Sequence, residues 1–226
     1  MDRIILIETS TALCSAAIAE GDQIKAYYES SAPKAHASLT AVFIDKMLND
    51  LGLTIQDCDA VCVSMGPGSY TGLRVGVSTA KGLCFGSGKP LLAVGTLDTL
   101  VAGVKNPQDF DYIVPMVDAR RMEVYSAVYR PDGTRITEVE PVIVDENGFA
   151  SFLEEGKVLF VGDGAGKCQG TIKSENASFI QCCPDARSMA APALKELREG
   201  NFRDVAYFEP FYLKEFVATT SKKKLF

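Results

Sequence analysis

Three turns in the chain have residue types that could hold an anion. They are Thr9-Ser10-Thr11, residues 66–71 and residues 162–167, each rich in glycine or in hydroxyl side chains. Backbone N–H groups at a helix start preceded by glycine bind phosphate well. The third turn is one residue short of a P-loop, and Cys168 stands where Ser or Thr would hold magnesium. Together the turns predict a vestigial nucleotide cleft, with these candidate residues: Thr9, Ser10, Thr11, Gly66, Gly68, Ser69, Asp118, Arg120, Gly162 and Gly164.

The chain has a single histidine, which limits both a histidine-based metal centre and a nucleophilic triad. That residue, His36, stands at a predicted helix start, and no HxxxH or HExxH pattern occurs. Zinc or iron held by paired histidines is therefore excluded, whereas a carboxylate-only site is not. A Ser–His–Asp triad would have to use His36, and no GxSxG elbow exists. We expect no metal site and interpret His36 as a helix-start or interface residue.

Composition and charge narrow the classes of partner. The 226-residue chain is 47% hydrophobic and carries a formal net charge of −6, which argues against a large basic face for nucleic acid. One basic cluster, Lys222-Lys223-Lys224, is interpreted as a solvated tail. Seven cysteines without a CxxC pair indicate free thiols. No apolar run could span a bilayer and no secretory signal is recognised, so we expect a cytoplasmic protein without membrane attachment.

Hydrophobic patterning divides the chain into two similar halves. Strands are predicted at 3–9 and within 13–30, then a helix at 35–50, a strand at 59–65, a helix at 71–85, a strand at 90–95 and a helix at 97–104. After Asn106-Pro107 the order βββαβα recurs, with helices at 149–154 and 189–197. We therefore predict an α/β protein with two lobes of mixed sheet, residues 1–105 and 106–226.

Two helices of the first half carry more apolar residues than one sheet face needs, since such a helix requires an apolar stripe of roughly 100°. The second also contains Gly72, Gly76, Gly82 and Gly86. Each interior glycine costs about 1 kcal/mol relative to alanine, which a close backbone approach would offset. Two interpretations stand: a thick core between lobes, or a protein–protein interface. The interface candidates are Leu39, Phe43, Met47, Leu73, Arg74, Gly76, Val77 and Ala80.

A family resemblance rests on five stretches that occur in order over nearly the whole chain. They are ILIETSTALCSAAIA, GPGSYTGLRVGVSTAKGL, VDARRMEVYSAVY, GDG and PFYLKE. On these the chain resembles the TsaB (YeaZ) family of bacterial proteins, and the long second motif is highly distinctive. The resemblance implies an actin/Hsp70/sugar-kinase-like (ASKHA) fold, with two similar lobes of mixed β-sheet flanked by helices. Glu8 stands where a shorter Asp is usual, which counts against intrinsic ATP binding.

The resemblance also implies a function. Family members belong to the complex that makes threonylcarbamoyladenosine in tRNA, as non-catalytic partners of TsaD, with TsaE also bound. Pairing with TsaD, or as a homodimer when alone, would use the two apolar helices of the first half. No cofactor is expected, except ATP or ADP with magnesium at a site shared with a partner, and no strong direct binding of tRNA. Older labels of glycoprotease or M22 peptidase find no support in these residues.

Two other functions stay open at this point. One is a residual ATPase or small-molecule kinase that uses Ser10, Thr11, Asp118 and the turn at residue 162. The other is a stand-alone homodimer that binds some different protein. The stretch at residues 118–123, with its Asp, two Arg and Glu, is either a solvated hairpin tip or a polar contact near the cleft or a partner.

Overall fold

The chain folds into two five-stranded sheets with helices on their faces. A computed structural model describes residues 2–214, and the lysines at 222–224 lie outside the described residues. The strands are β1 Arg3–Glu8, β2 Cys14–Glu20, β3 Gln23–Ser30, β4 Ala60–Ser64, β5 Leu91–Val94, β6 Tyr112–Asp118, β7 Glu123–Ser126, β8 Glu140–Ile143, β9 Val158–Gly162 and β10 Ala177–Gln181. The α-helices are α1 Ala35–Asp50, α2 Tyr70–Ser87, α3 Thr96–Ala102, α4 Ala150–Glu155, α5 Ala165–Cys168 and α6 Ala190–Glu199.

The two sheets share one topology. The first has the order β3-β2-β1-β4-β5 and the second, counted from its other edge, β8-β7-β6-β9-β10. In each sheet the first three strands in sequence pair antiparallel, and the last two add in parallel. The prediction of an α/β protein with two similar mixed sheets is therefore confirmed.

The first sheet is buried on both faces, and its central strand β1 is apolar at each position from Ile4 to Ile7. Alternate side chains of a strand point to opposite faces. Ile5 and Ile7 of β1 meet α1 and α2, whereas Ile4 and Leu6 meet α6 and the short 3-10 turn before it. All four side chains are fully buried. Residues from the far end of the chain thus complete the core of the first sheet.

The second sheet is likewise covered on one face by a helix from the other half of the chain. Leu97 and Leu100 of α3, which follows the last strand of the first sheet, pack on Ile113 and Leu159 of the second sheet. The opposite face of that sheet packs against α4 and α5. Each sheet is therefore covered on one face by a helix that the other half of the chain supplies. The division of the chain between residues 105 and 106 stays a prediction.

Several element ends differ from the sequence-based expectations by one or two residues, and two of the differences have a clear cause. The helix predicted from residue 71 begins at Tyr70, because Ser69 acts as N-cap and accepts a hydrogen bond from the Gly72 N–H at 3.3 Å. The turn after β9 contains the one-turn helix α5, which was not predicted because the stretch is rich in glycine. Within residues 2–214, no helix is both long and apolar enough to cross a bilayer.

Candidate functional site

A cavity of about 860 Å³, here called the cleft, lies where the loops of the two sheets meet. One wall comes from the β1–β2 turn and the residues just before α2. The other wall comes from the β6–β7 turn and Asp163. Residues 211–214 of the C-terminal segment also line it. Polar side chains of both walls line the cleft, among them Ser10, Thr11 and Asp118, which suits a hydrated or polar occupant rather than an apolar one.

The first wall is built by glycines that bring α2 close to the end of β1. The Ser69 N–H donates to the Ser10 carbonyl at 2.6 Å, and a Cβ on Gly68 would lie 2.3 Å from that oxygen. One turn further, a Cβ on Gly72 would lie 2.1 Å from the Thr9 carbonyl oxygen. Gly68 and Gly72 thus allow the backbone at the start of α2 to lie close to the backbone of Thr9 and Ser10, just after β1.

Among residues 2–214, three buried polar atoms beside this wall have no hydrogen-bond partner. They are Oε2 of Glu8, Oγ of Ser10 and Oγ1 of Thr11. The other carboxylate oxygen of Glu8 accepts the Ser10 N–H at 2.6 Å. Burial raises the pKa of Glu8. Buried polar groups normally find partners, so these atoms mark a place where water or a ligand group would be stabilised.

Two carboxylates of the second wall form ion pairs. Asp118 pairs with Lys167, and Glu123 pairs with Lys214. Asp163 accepts the backbone N–H of Asp118 at 2.9 Å, while burial raises the pKa of Asp163. Carboxylates held in this way fix the wall and leave little free acid for chemistry.

The turn between β6 and β7 presents two arginines to the cleft. Arg120 and Arg121 both have positive φ, 72° and 50°, and lie in the short loop between Ala119 and Glu123, whose backbones are hydrogen-bonded. Oδ1 of Asp118 accepts the Arg120 N–H at 2.8 Å and closes the turn. Both arginines are exposed and line the cleft. The hairpin at residues 118–123 is therefore exposed to solvent and also borders the cleft.

The single histidine also borders the cleft. A ring nitrogen of His36 lies 2.9 Å from the Thr11 carbonyl oxygen, so it carries the proton and donates. This bond ties the start of α1 to the β1–β2 turn. The helix-start interpretation of His36 agrees with this position.

The structure gathers six of the ten predicted cleft residues and leaves four outside the lining. Those that line the cleft are Ser10, Thr11, Gly68, Ser69, Asp118 and Arg120. Thr9 instead donates its hydroxyl to the Gly72 carbonyl at 2.8 Å. Gly66 packs against the Phe211 carbonyl. Gly162 and Gly164 pack against the Met116 carbonyl, which explains the glycines of that turn without an anion.

The apolar interface candidates lie mostly inside the molecule. Six of the eight are buried in the chain's own core: Phe43, Met47, Leu73, Gly76, Val77 and Ala80. Their interpretation as spare apolar surface is wrong, because α1 and α2 also pack on each other and on Val205 and Phe208. Leu39 is half-buried and Arg74 is exposed.

The exposed surface of the two helices has a different composition. Val42 of α1 is 53% exposed and Phe85 of α2 is 87% exposed. Small residues share the outer surface of α2, namely Ser78, Gly82 and Gly86. A Cβ on Gly82 or Gly86 would meet no atom of the described part of the chain within 4 Å. Open glycines and exposed apolar side chains on adjacent helices form a surface that another helix could approach closely.

Sequence reasoning missed the C-terminal contribution to the cleft. Phe211, Tyr212, Leu213 and Lys214 all line it, although they lie more than 130 residues from the first wall. The aromatic and apolar stretch at residues 210–213 was the available signal. Among residues 2–214, no three His, Cys, Asp or Glu side chains come together in a way that could hold a metal ion.

Comparisons with known proteins agree with this architecture. A family model described as "TsaD: tRNA N6-adenosine threonylcarbamoyltransferase" matches residues 30–221. The tRNA threonylcarbamoyladenosine biosynthesis protein TsaB of Escherichia coli (strain K12) is 30% identical over 226 residues, with 96% of each chain covered. The chain belongs to the TsaB family. The resemblance seen in the five sequence motifs is therefore confirmed.

Solved structures extend the comparison to the fold. YeaZ from Pseudomonas aeruginosa superposes with a TM-score of 0.81 at 23% identity, covering 94% of this chain and all of that one. The activator of the 2-hydroxyisocaproyl-CoA dehydratase from Clostridium difficile, solved with bound ADPNP, gives a TM-score of 0.51 at 11% identity, covering 88% of this chain and 97% of that one. The TsaB-family chain has the ASKHA fold that the resemblance implied.

Proposed function

We propose that this protein is a non-catalytic scaffold subunit of the complex that attaches threonylcarbamoyl to adenosine in tRNA, where it activates TsaD. The observation that carries the proposal is its likeness to a TsaB biosynthesis protein over 96% of both chains. A likeness over the whole length includes both sheets, the cleft and the exposed helices. TsaE is the further proposed partner, and the compartment is the cytoplasm.

The chemistry of the cleft supports a role without catalysis by this chain. Asp118 and Glu123, the carboxylates that face the cleft from the β6–β7 hairpin, are held by Lys167 and Lys214. A general base must reach a substrate proton in its free form, and the carboxylate of Asp118 is occupied by its ion pair with Lys167.

The exposed surface of α1 and α2 supports pairing. We place the contact with TsaD, or with a second copy when the chain is alone, around Val42, Ser78, Gly82 and Phe85 rather than at the buried residues of the same helices. The net charge of −6 fits a subunit that leaves tRNA binding to its partners.

Light scattering on a size-exclusion column tests the pairing. The chain is run alone and with TsaD and TsaE from its own organism. We expect a mixed complex with TsaD that displaces any homodimer. Gly82→Arg and Val42→Arg should prevent pairing, because they place a long charged side chain on the contact. Ala191→Arg, on the exposed part of α6, is the matched control and should pair normally.

An activity measurement completes the test. Threonylcarbamoyladenosine formation on tRNA by TsaD and TsaE should require the chain, and should fall in parallel with pairing in Gly82→Arg. Full activity from a variant that no longer pairs would contradict the scaffold proposal, as would normal modification in the absence of the chain.

A residual ATPase or small-molecule kinase is the second candidate. It is favoured by the cleft itself, where the unpartnered hydroxyls of Ser10 and Thr11 lie beside the start of α2 and opposite Arg120. Calorimetric titration with ATP and magnesium separates the candidates. Sub-millimolar binding to the chain alone, abolished by Gly68→Val, would favour the enzyme. Binding that appears only with TsaD present would indicate a shared nucleotide site.

A further inference from the structure

The segment at residues 203–214, here called the strap, is fixed at its start to the first sheet and α2. The Arg203 N–H donates to the Leu91 carbonyl at 2.8 Å. Nζ of Lys81, on α2, donates to the carbonyls of Ala206 and Phe208 at 2.9 and 3.1 Å. Phe208 also packs into the apolar cluster under α1 and α2. This part of the strap is thus held by backbone hydrogen bonds and burial together.

The strap then crosses the cleft, which residues 211–214 line. The Phe211 N–H donates to the Met65 carbonyl at 2.7 Å. The ring of Tyr212 lies 4.6 Å from the ring of Tyr70, and the Arg74 guanidinium lies over the Tyr70 ring at 4.1 Å. These contacts still belong to the first lobe, and they place the strap beside the cleft.

The end of the strap reaches the opposite wall. Lys214 forms an ion pair with Glu123 of β7, in the second sheet. The two side chains are 41% and 22% exposed. The strap is therefore strongly attached on one side of the cleft and joined to the other side by a half-exposed ion pair. Such a pair shifts an equilibrium only about twofold to fivefold, so thermal motion can release it.

We propose that the strap is a gate over the cleft, and that the Lys214–Glu123 ion pair is its latch. Release of the latch would leave the first-lobe contacts of Phe211 and Tyr212 to hold residues 211–214, so this part of the strap would leave the cleft more often while residues 203–208 stay attached. The hydroxyls of Ser10 and Thr11, on the first wall, would then be open to a polar ligand or to a partner segment. The gate does not depend on the proposed scaffold function, because it concerns access within this chain.

The composition of the chain provides a clean probe. The sequence has no tryptophan, so Tyr212→Trp introduces a single tryptophan at the gate, which can be excited selectively over the tyrosines. Acrylamide quenching then reports how often the strap leaves the cleft. In the Tyr212→Trp background, Glu123→Gln removes the latch and should raise the quenching constant. In the otherwise unchanged chain, Glu123→Gln should speed hydrogen exchange of the Phe211 amide about twofold to fivefold.

Two controls make the test specific. Glu140→Gln, on the neighbouring edge strand β8, makes the same change of charge and should leave both readouts unchanged. Salt at about 1 M should mimic Glu123→Gln in the unchanged chain and add nothing to the variant, since ions screen exposed pairs. Equal readouts for Glu123→Gln and the unchanged chain would overturn the proposal. So would equal increases in Glu123→Gln and Glu140→Gln, which would reveal a general effect of charge.

Discussion

Alanine substitutions along α2 distinguish a glycine that is needed from one that is not. Gly72 and Gly82 lie in the same helix, and alanine should gain the same backbone propensity at both, about 1 kcal/mol. Gly82 is open, so Gly82→Ala should stabilise the protein by about that amount. At Gly72 the new Cβ would lie 2.1 Å from the Thr9 carbonyl oxygen, and neither backbone can yield without moving α2 or β1.

The cost at Gly72 has two parts. Forcing extra volume into a packed contact costs about 1–3 kcal/mol. Moving α2 away also stretches the buried hydrogen bond from the Thr9 hydroxyl to the Gly72 carbonyl, 2.8 Å long, worth about 1 kcal/mol. The propensity gain cancels between the two variants. Gly72→Ala should therefore be about 2–4 kcal/mol less stable than Gly82→Ala. Gly76→Ala should fall between them, because its Cβ meets the Thr9 hydroxyl at 2.2 Å rather than a backbone atom.

Urea unfolding followed by circular dichroism measures the difference. With a slope of about 2–3 kcal/mol per M, the midpoints of the two variants should lie about 1 M apart. Low protein concentration avoids a contribution from pairing, and Gly86→Ala serves as a second open-position control. Equal midpoints for Gly72→Ala and Gly82→Ala would refute the argument that the glycine permits the approach of α2 to β1.

Other substitutions test the buried polar groups. The raised pKa of Glu8 means that the folded state favours the neutral acid. The stability it contributes is present below the unfolded pKa of about 4.5 and is lost as pH rises through the folded value. Glu8→Gln should therefore gain stability over the unchanged chain across that pH range, by up to about 1.4 kcal/mol per pH unit, in urea titrations at a series of pH values. Tyr129→Phe should cost about 1–2 kcal/mol, because the buried Tyr129 hydroxyl donates to Asp98 of α3 at 2.9 Å; an unchanged thermal midpoint would contradict this.

The sequence predicted those parts of the fold that depend on local pattern. The run Ile4 to Ile7 is apolar at every position, so a strand buried on both faces was the natural interpretation. The helix at 35–50 was predicted with its observed bounds, since its apolar spacing is regular and Gly52 follows it. Repetition of the order βββαβ was enough to predict two similar sheets.

The hydrophobic pattern of the sequence could not predict which elements pack against each other. The apolar residues of α2 indicated that it needs a partner, and the interface interpretation followed. Val77 and Ala80 are instead covered by the sheet, by α1 and by the strap, which arrives from more than 120 residues away. The position of the strap was missed for the same reason, because no periodicity links Tyr212 to Tyr70.

The exchange of helices between the sheets sets an order for folding during synthesis. The face of the first sheet that carries Ile4 and Leu6 is covered by Ala190 and Ala193 of α6. Those residues leave the ribosome long after the strands they cover, because residues are added from the N-terminus onward. The first lobe must therefore wait, with an apolar sheet face open, until nearly the whole chain has been made. The packing of α6 on the first sheet is then the step that joins the two lobes, so neither lobe completes its folding without the other.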